Sequence, residues 1–169
     1  MKNQEPLAGE MKRGAMNTEM YHYTECGLDD VWIAGIEFHC DAAGKTVYRI
    51  PNLPGLHREI ARSIVYESSG MTGQEHRFLR TELGMTQQEM ASLLHVEALT
   101  ISRWERGENP IDQNAMTIIR MLAVEKLELE QKESVEKISK LSVSVARTDP
   151  LIVDGSNPDQ YKASRKIAA

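Results

Sequence analysis

The chain has 169 residues, 41% of them hydrophobic, 27% charged and 5% aromatic, room for one ordinary domain or two small ones with a mainly aliphatic core. Twenty Lys and Arg face 25 Asp and Glu, a formal net charge of -5. This excludes non-specific coating of nucleic acid or anionic membrane but not a local basic site. Two cysteines exclude a disulfide framework and fit a cytoplasmic setting, and no apolar run approaches the ~20 residues of a membrane span.

Residues 1–20 are polar and lack the apolar stretch of a secretory signal. They read as a disordered leader, with Met20 as an internal start. Residues 21–67 read as a small α+β domain. Val31–Ala34, Ile36–Cys40 and Thr46–Ile50 are β-branched, aromatic or alternating, with Gly27, Gly35 and Gly44 as turn signals. Three such strands make a small antiparallel sheet. Leu56, Ile60, Ile64 and Val65 then fall at helical spacing, which predicts a helix over 54–66 closing over the sheet. Ser68-Ser69-Gly70 is a linker, and the domain boundary falls near 67–71.

Residues 72–127 are the informative stretch. Thr72 with Glu75 and Thr86 with Glu89 are two capping boxes. The first helix carries Phe78, Leu79 and Leu83 and stops at Gly84. The second carries Met90, Ala91, Leu93 and Leu94 as its buried stripe, and His95-Val96 turns the chain. A third helix, over 97–106, contains Leu99, Ile101, Arg103 and Trp104. Two helices joined by so short a turn are a helix-turn-helix, with Ala91 allowing a close crossing, Ile101 plugging the gap and Trp104 packing from the far end.

The third helix is the one expected in a DNA major groove. Its Glu97, Ala98, Leu99, Thr100, Ser102 and Arg103 face base edges in that reading. Arg103 suits guanine O6 and N7, or alternatively a phosphate. Ala98 or Thr100 suits a thymine methyl, and Glu97 suits cytosine N4. Gln87 and Gln88 open the second helix, where a phosphate oxygen is favoured, and Arg106 and Asn109 follow the third helix near the backbone. Over 72–110, four arginines stand against six glutamates, so binding is expected to need a homodimer on a two-fold operator.

Residues 83–91 (Leu-Gly-Met-Thr-Gln-Gln-Glu-Met-Ala) and 101–107 (Ile-Ser-Arg-Trp-Glu-Arg-Gly) resemble the Cro/repressor (Xre) helix-turn-helix family. That resemblance implies a lambda-repressor-like all-α domain. Residues 71–80 and the strand-rich segment ahead of them resemble, more narrowly, antitoxins of the MqsA type. The latter resemblance implies a C-terminal helix-turn-helix that binds the operator and dimerises. It also implies an N-terminal domain that holds zinc and binds a toxin protein. Arg103 matches the family's base-reading arginine; the asparagine used four residues earlier is Leu99 here. The zinc pattern departs from the family's two Cys-x-x-Cys pairs. Only Cys26 and Cys40 are present, with His22 and His39 nearby. His22 and Cys26 have workable spacing, whereas adjacent His39 and Cys40 point to opposite faces of a strand. No cofactor is therefore expected, with zinc at these four residues as the alternative.

Residues 113–141 read as one long helix or two abutting ones, with Ile118, Ile119 and Leu122 packed on the helix-turn-helix. Residues 128–145 form an amphipathic C-terminal helix in this reading. Val124, Leu127, Val135, Ile138, Leu141 and Val145 give a stripe suited to a short dimeric coiled coil. Residues 146–169 show no pattern and are expected to be disordered, with Lys162, Arg165 and Lys166 available to DNA or a partner. No nucleophile, base and phosphate loop converge, so no enzyme is expected. The reading is a cytoplasmic DNA-binding regulator, an autorepressing antitoxin. The alternatives are a stand-alone repressor with a ligand- or protein-binding N-terminal domain, or an interaction adaptor that does not bind DNA.

Overall fold

A computed structural model describes residues 20–147 and 149–165; the proposed leader up to residue 19 and Lys166 lie outside them. The order of elements is β1 (Tyr21–His22), β2 (Val31–Ala34), β3 (Phe38–Cys40), β4 (Thr46–Tyr48), α1 (Leu53–Tyr66), α2 (Gly73–Glu82), α3 (Gln87–Leu94), α4 (Ala98–Glu105), α5 (Gln113–Lys126), α6 (Val135–Leu141), β5 (Leu151–Asp154) and β6 (Lys162–Arg165). The α+β class and the helical segment after the first strands follow the sequence reading.

The strands pair differently from the expected antiparallel trio. β1, β2, β5 and β6 form one sheet in that order, while β3 and β4 form a separate antiparallel hairpin. β1 runs antiparallel to β2, β2 runs parallel to β5 with Val31 opposite Leu151 and Ala34 opposite Asp154, and β5 runs antiparallel to β6. The segment read as a disordered tail therefore supplies half of the main sheet. Leu151 and Val153 are buried on its core face. Their short apolar run, bounded by Pro150 and Gly155, becomes a strand because β2 offers it an edge. Gly155 allows the chain to leave the sheet: a Cβ there would lie 2.5 Å from the Ile36 side chain.

α1 starts at Asn52, whose side chain accepts the Gly55 N–H, and carries a proline in its first turn. Its buried face, Leu56, Ile60, Ile64 and Val65, packs on the sheet and on α5. Glu59 accepts the Ala163 N–H at 2.7 Å, so a carboxylate from α1 occupies part of the outer edge of β6. The apolar core continues without a break from Tyr23 to Tyr161. Nothing in it separates at 67–71; Arg120 of α5 closes that junction. Fully buried, it donates from Nη1 to Val65 O and Glu67 O and from Nη2 to Ser69 O, each at 2.7 Å. Burial pushes its pKa down, yet the three carbonyls between the last turn of α1 and the linker engage both Nη groups, while Nε is left without a partner among the described residues.

The C-terminal helical segment is shorter than the stripe suggests. α5 ends at Lys126, Glu128 takes a left-handed turn (φ 51°), and α6 folds back on α5 with Ile138 buried. Turning back removes the straight seam that a coiled coil requires. Ile118 and Leu93, read as buried, are exposed, and with Val135 they border an apolar groove of about 850 Å³ that also contains Leu122 and Ile138. Among the described residues no helix is long and apolar enough to cross a membrane.

Leu151→Ala is expected to destabilise the protein by about 2–5 kcal/mol, because the cavity would lie between β2 and the helices. Urea unfolding followed by circular dichroism measures this. An unchanged midpoint would put 151–154 outside the cooperative core.

Candidate nucleic-acid interface

Both capping boxes form as their sequences require. Thr72 accepts the Glu75 N–H and Thr86 accepts the Glu89 N–H, while each glutamate accepts the N–H of its threonine. These caps fix where α2 and α3 begin. His95 ends α3 in the left-handed region, and the Val96 N–H returns to Ala91 O at 3.0 Å. Met90, Ala91, Ile101 and Trp104 are buried between α3 and its neighbours. Gly73 sits so close to the end of α4 that a Cβ would lie 2.2 Å from Trp104 O. The start of α2 and the end of α4 are thus in backbone contact.

The three helices are tied by one carboxylate. Glu105, in the last turn of α4, is 5% exposed. Its Oε1 accepts from Arg80 Nε at 2.6 Å and lies 3.2 Å from His76 Nδ1. Its Oε2 accepts from Arg80 Nη2 at 3.1 Å and Gln87 Nε2 at 2.8 Å. Arg80 also donates from Nη1 to Met85 O at 2.7 Å, closing the turn between α2 and α3. An ionised carboxylate accepts only, so the His76 proton that faces it is on Nδ1. The opposite nitrogen, Nε2, is buried with no partner among the described residues, beside the edge-on ring of Trp104. Burial pushes the Glu105 carboxyl up; the bonds from His76, Arg80 and Gln87, with the charge of Arg80, outweigh it and hold it down at about 2.

This arrangement distributes the predicted contact residues unequally. Gln87 is half-buried and its amide is committed to Glu105, whereas Gln88 is exposed. The start of α3, read as a phosphate site, already carries the Glu89 carboxylate on Thr86. On α4, Leu99 and Arg103 are exposed one turn apart, Glu97 is exposed at the N-cap without a side-chain capping bond, and Ala98, Thr100 and Ser102 are half-buried. Arg106 and Asn109 are exposed. Arg106 donates to Ser102 Oγ and pairs with Glu108 at 2.6 Å. A pair so exposed on both sides is weak, so a phosphate can displace Glu108. Arg103 has no ion-pair or hydrogen-bond partner for its guanidinium among the described residues.

Three of the six glutamates over 72–110 are engaged internally, while Glu89, Glu97 and Glu108 are exposed. Glu105 belongs to Arg80, Glu82 lies 2.8 Å from His57, and Glu75 meets Arg165 at 2.5 Å. Glu97 is the exposed acid at the N-cap of α4. Arg165, read as available to DNA, is 3% exposed and also holds Asp30 at 2.6 Å. Sequence reasoning missed it, together with Glu105 and Arg120. A lone arginine in an apolar helix, as in Ile119-Arg120-Met121, was the available signal for Arg120.

The four zinc candidates do not share a site. His22 Nε2 lies 2.7 Å from Asp29 O and its ring stacks on Trp32; Cys26 Sγ faces Tyr23 O; His39 and Cys40 lie on the exposed hairpin. Among the described residues no three His, Cys, Asp or Glu side chains are grouped to hold a metal.

Residues 77–129, from the middle of α2 to just beyond α5, match the family model described as helix-turn-helix, of the Xre/Cro type. No curated protein and no solved structure matches the chain.

Glu105→Gln is expected to destabilise by about 2–3 kcal/mol near neutral pH, since the Arg80 charge loses its buried partner. A carboxyl held down in the folded state stabilises above its ordinary value of 4.5 and loses that contribution as pH falls toward about 2. Stability between about pH 5 and pH 2 should therefore fall more steeply in the wild type than in the variant. Urea titrations across that range measure it, and parallel profiles would assign the acid limb to another group.

Proposed function

With residues 77–129 placed in the helix-turn-helix family, we propose that this is a sequence-specific transcriptional regulator that docks α4 in the major groove as a homodimer and represses its own promoter as an antitoxin. The observation that carries the reading is Arg103. It stands exposed in the last turn of α4 with an unengaged guanidinium, while Arg80 and Arg106 are ion-paired. A bidentate bond to guanine O6 and N7 suits that side chain. Gln88, Arg106 and Asn109 flank it for phosphate contacts.

The charge arithmetic supports two copies, since few cations per protomer face outward and paired half-sites multiply them. The apolar groove bordered by Leu93, Ile118 and Val135 supports the same stoichiometry. The β3–β4 hairpin supports the toxin-binding part. It stands apart from the main sheet with Phe38 41% exposed, and it is anchored by Tyr48 stacked on Tyr21. The reading assigns no catalysis and a cytoplasmic location.

A gel-shift titration on the protein's own promoter fragment tests the DNA reading. Arg103→Ala is expected to weaken binding about ten- to a hundredfold, and Arg77→Ala, on α2, much less. Equal binding by wild type and Arg103→Ala would remove α4 from the interface. The antitoxin part predicts that growth arrest by the product of an adjoining gene is relieved by co-expressing this chain. Relief should be lost when Phe38 and Tyr48 are both changed to Ser; persistent arrest with the unaltered chain would leave a stand-alone repressor.

A further inference from the structure

The outer face of α4 carries one group that phosphate and polar base edges cannot satisfy. Leu99 is 55% exposed, the most exposed large apolar side chain of the helix-turn-helix. It lies one turn before Arg103, about 6 Å along the helix or on the order of two base-pair rises. Its neighbours Ala98 and Thr100 are half-buried, and Ser102 is held by Arg106. Resting on the reading that α4 enters the major groove, we propose that Leu99 is a specificity residue that recognises the C5-methyl group of a pyrimidine, a thymine within one or two base pairs of the guanine read by Arg103.

The argument is one of matching chemistry. The major-groove edge presents donors and acceptors at every position and a single apolar feature, the C5-methyl of thymine. Leu99 offers neither donor nor acceptor. Over a thymine it removes apolar surface on both sides from water. Over an adenine N6, a guanine O6 or a cytosine N4 it strips water from a polar group and returns nothing. Selection for thymine therefore comes from attraction at one base and desolvation at the others. Glu97, acidic and two residues earlier, does not substitute for it, because a carboxylate accepts from cytosine N4 and has no use for a methyl group.

The test uses the full-length protein and a random-sequence duplex pool of the four ordinary bases, without 5-methylcytosine. Rounds of selection define the bound site. Each thymine of that site is then replaced by uracil, which removes the C5-methyl and leaves the pairing edge intact. At one thymine, uracil is expected to weaken binding about fourfold, the loss of one buried methyl-sized group. A 5-methylcytosine paired with guanine at that position should bind more tightly than cytosine. Leu99→Ala, an exposed change to a good helix former, should bind the thymine and uracil sites equally. A site at which every uracil is bound as tightly as thymine would overturn the assignment, as would a thymine preference that survives Leu99→Ala. A pool that enriches no sequence would overturn the DNA reading itself, and this inference with it.

Discussion

The Glu105 carboxylate is the constraint on which the geometry of the helix-turn-helix depends. It takes hydrogen bonds from two residues of α2 and one of α3 while sitting at the end of α4. Any rotation of α4 relative to its supports stretches charge-assisted bonds in a dry site, where they are strongest. The Gly73 contact adds a steric limit from the other side. Between them, one attraction and one close approach hold the angle at which Leu99 and Arg103 are presented. On the proposed reading, in which α4 meets DNA through few side chains, such a hold matters because a small misplacement loses a bidentate bond altogether.

The same logic extends outward through two further arginines. Arg120 gathers the carbonyls between α1 and α2, and Arg165 joins Asp30 ahead of β2 to Glu75 in the capping box of α2. Glu75 thus serves the helix start with one oxygen and β6 with the other. The helix-turn-helix is therefore set into a frame built from the segments before and after it.

What the sequence made legible was local. Capping boxes, glycine stops and the spacing of Phe78, Met90, Ile101 and Trp104 are read within a turn or two of helix, and α2, α3 and α4 lie where those signals place them. β5 was not legible because Leu151-Ile152-Val153 becomes a strand only through β2, far away in the chain. The coiled-coil stripe failed because periodicity does not register a left-handed turn at Glu128, a residue with no special claim to that conformation. Buried charges were hidden for a related reason. In sequence Arg103, Arg120 and Arg165 look alike; burial and partner distance alone separate a solvated cation from a structural one.

The parallel pairing of β2 with β5 sets an order for biosynthesis. Asp30 and Arg165 are 135 residues apart, and β2 has its β5 side unpaired until residues 151–154 exist. The helices between them can assemble first, whereas the sheet must wait until residues 151–165 have been made and meets a loop-closure cost. On a ribosome adding about 5–20 residues per second, the β5 side of β2 stays without its partner for about 6–24 seconds. That interval is when this protein is most open to chaperones, to proteases and to pairing with the wrong strand.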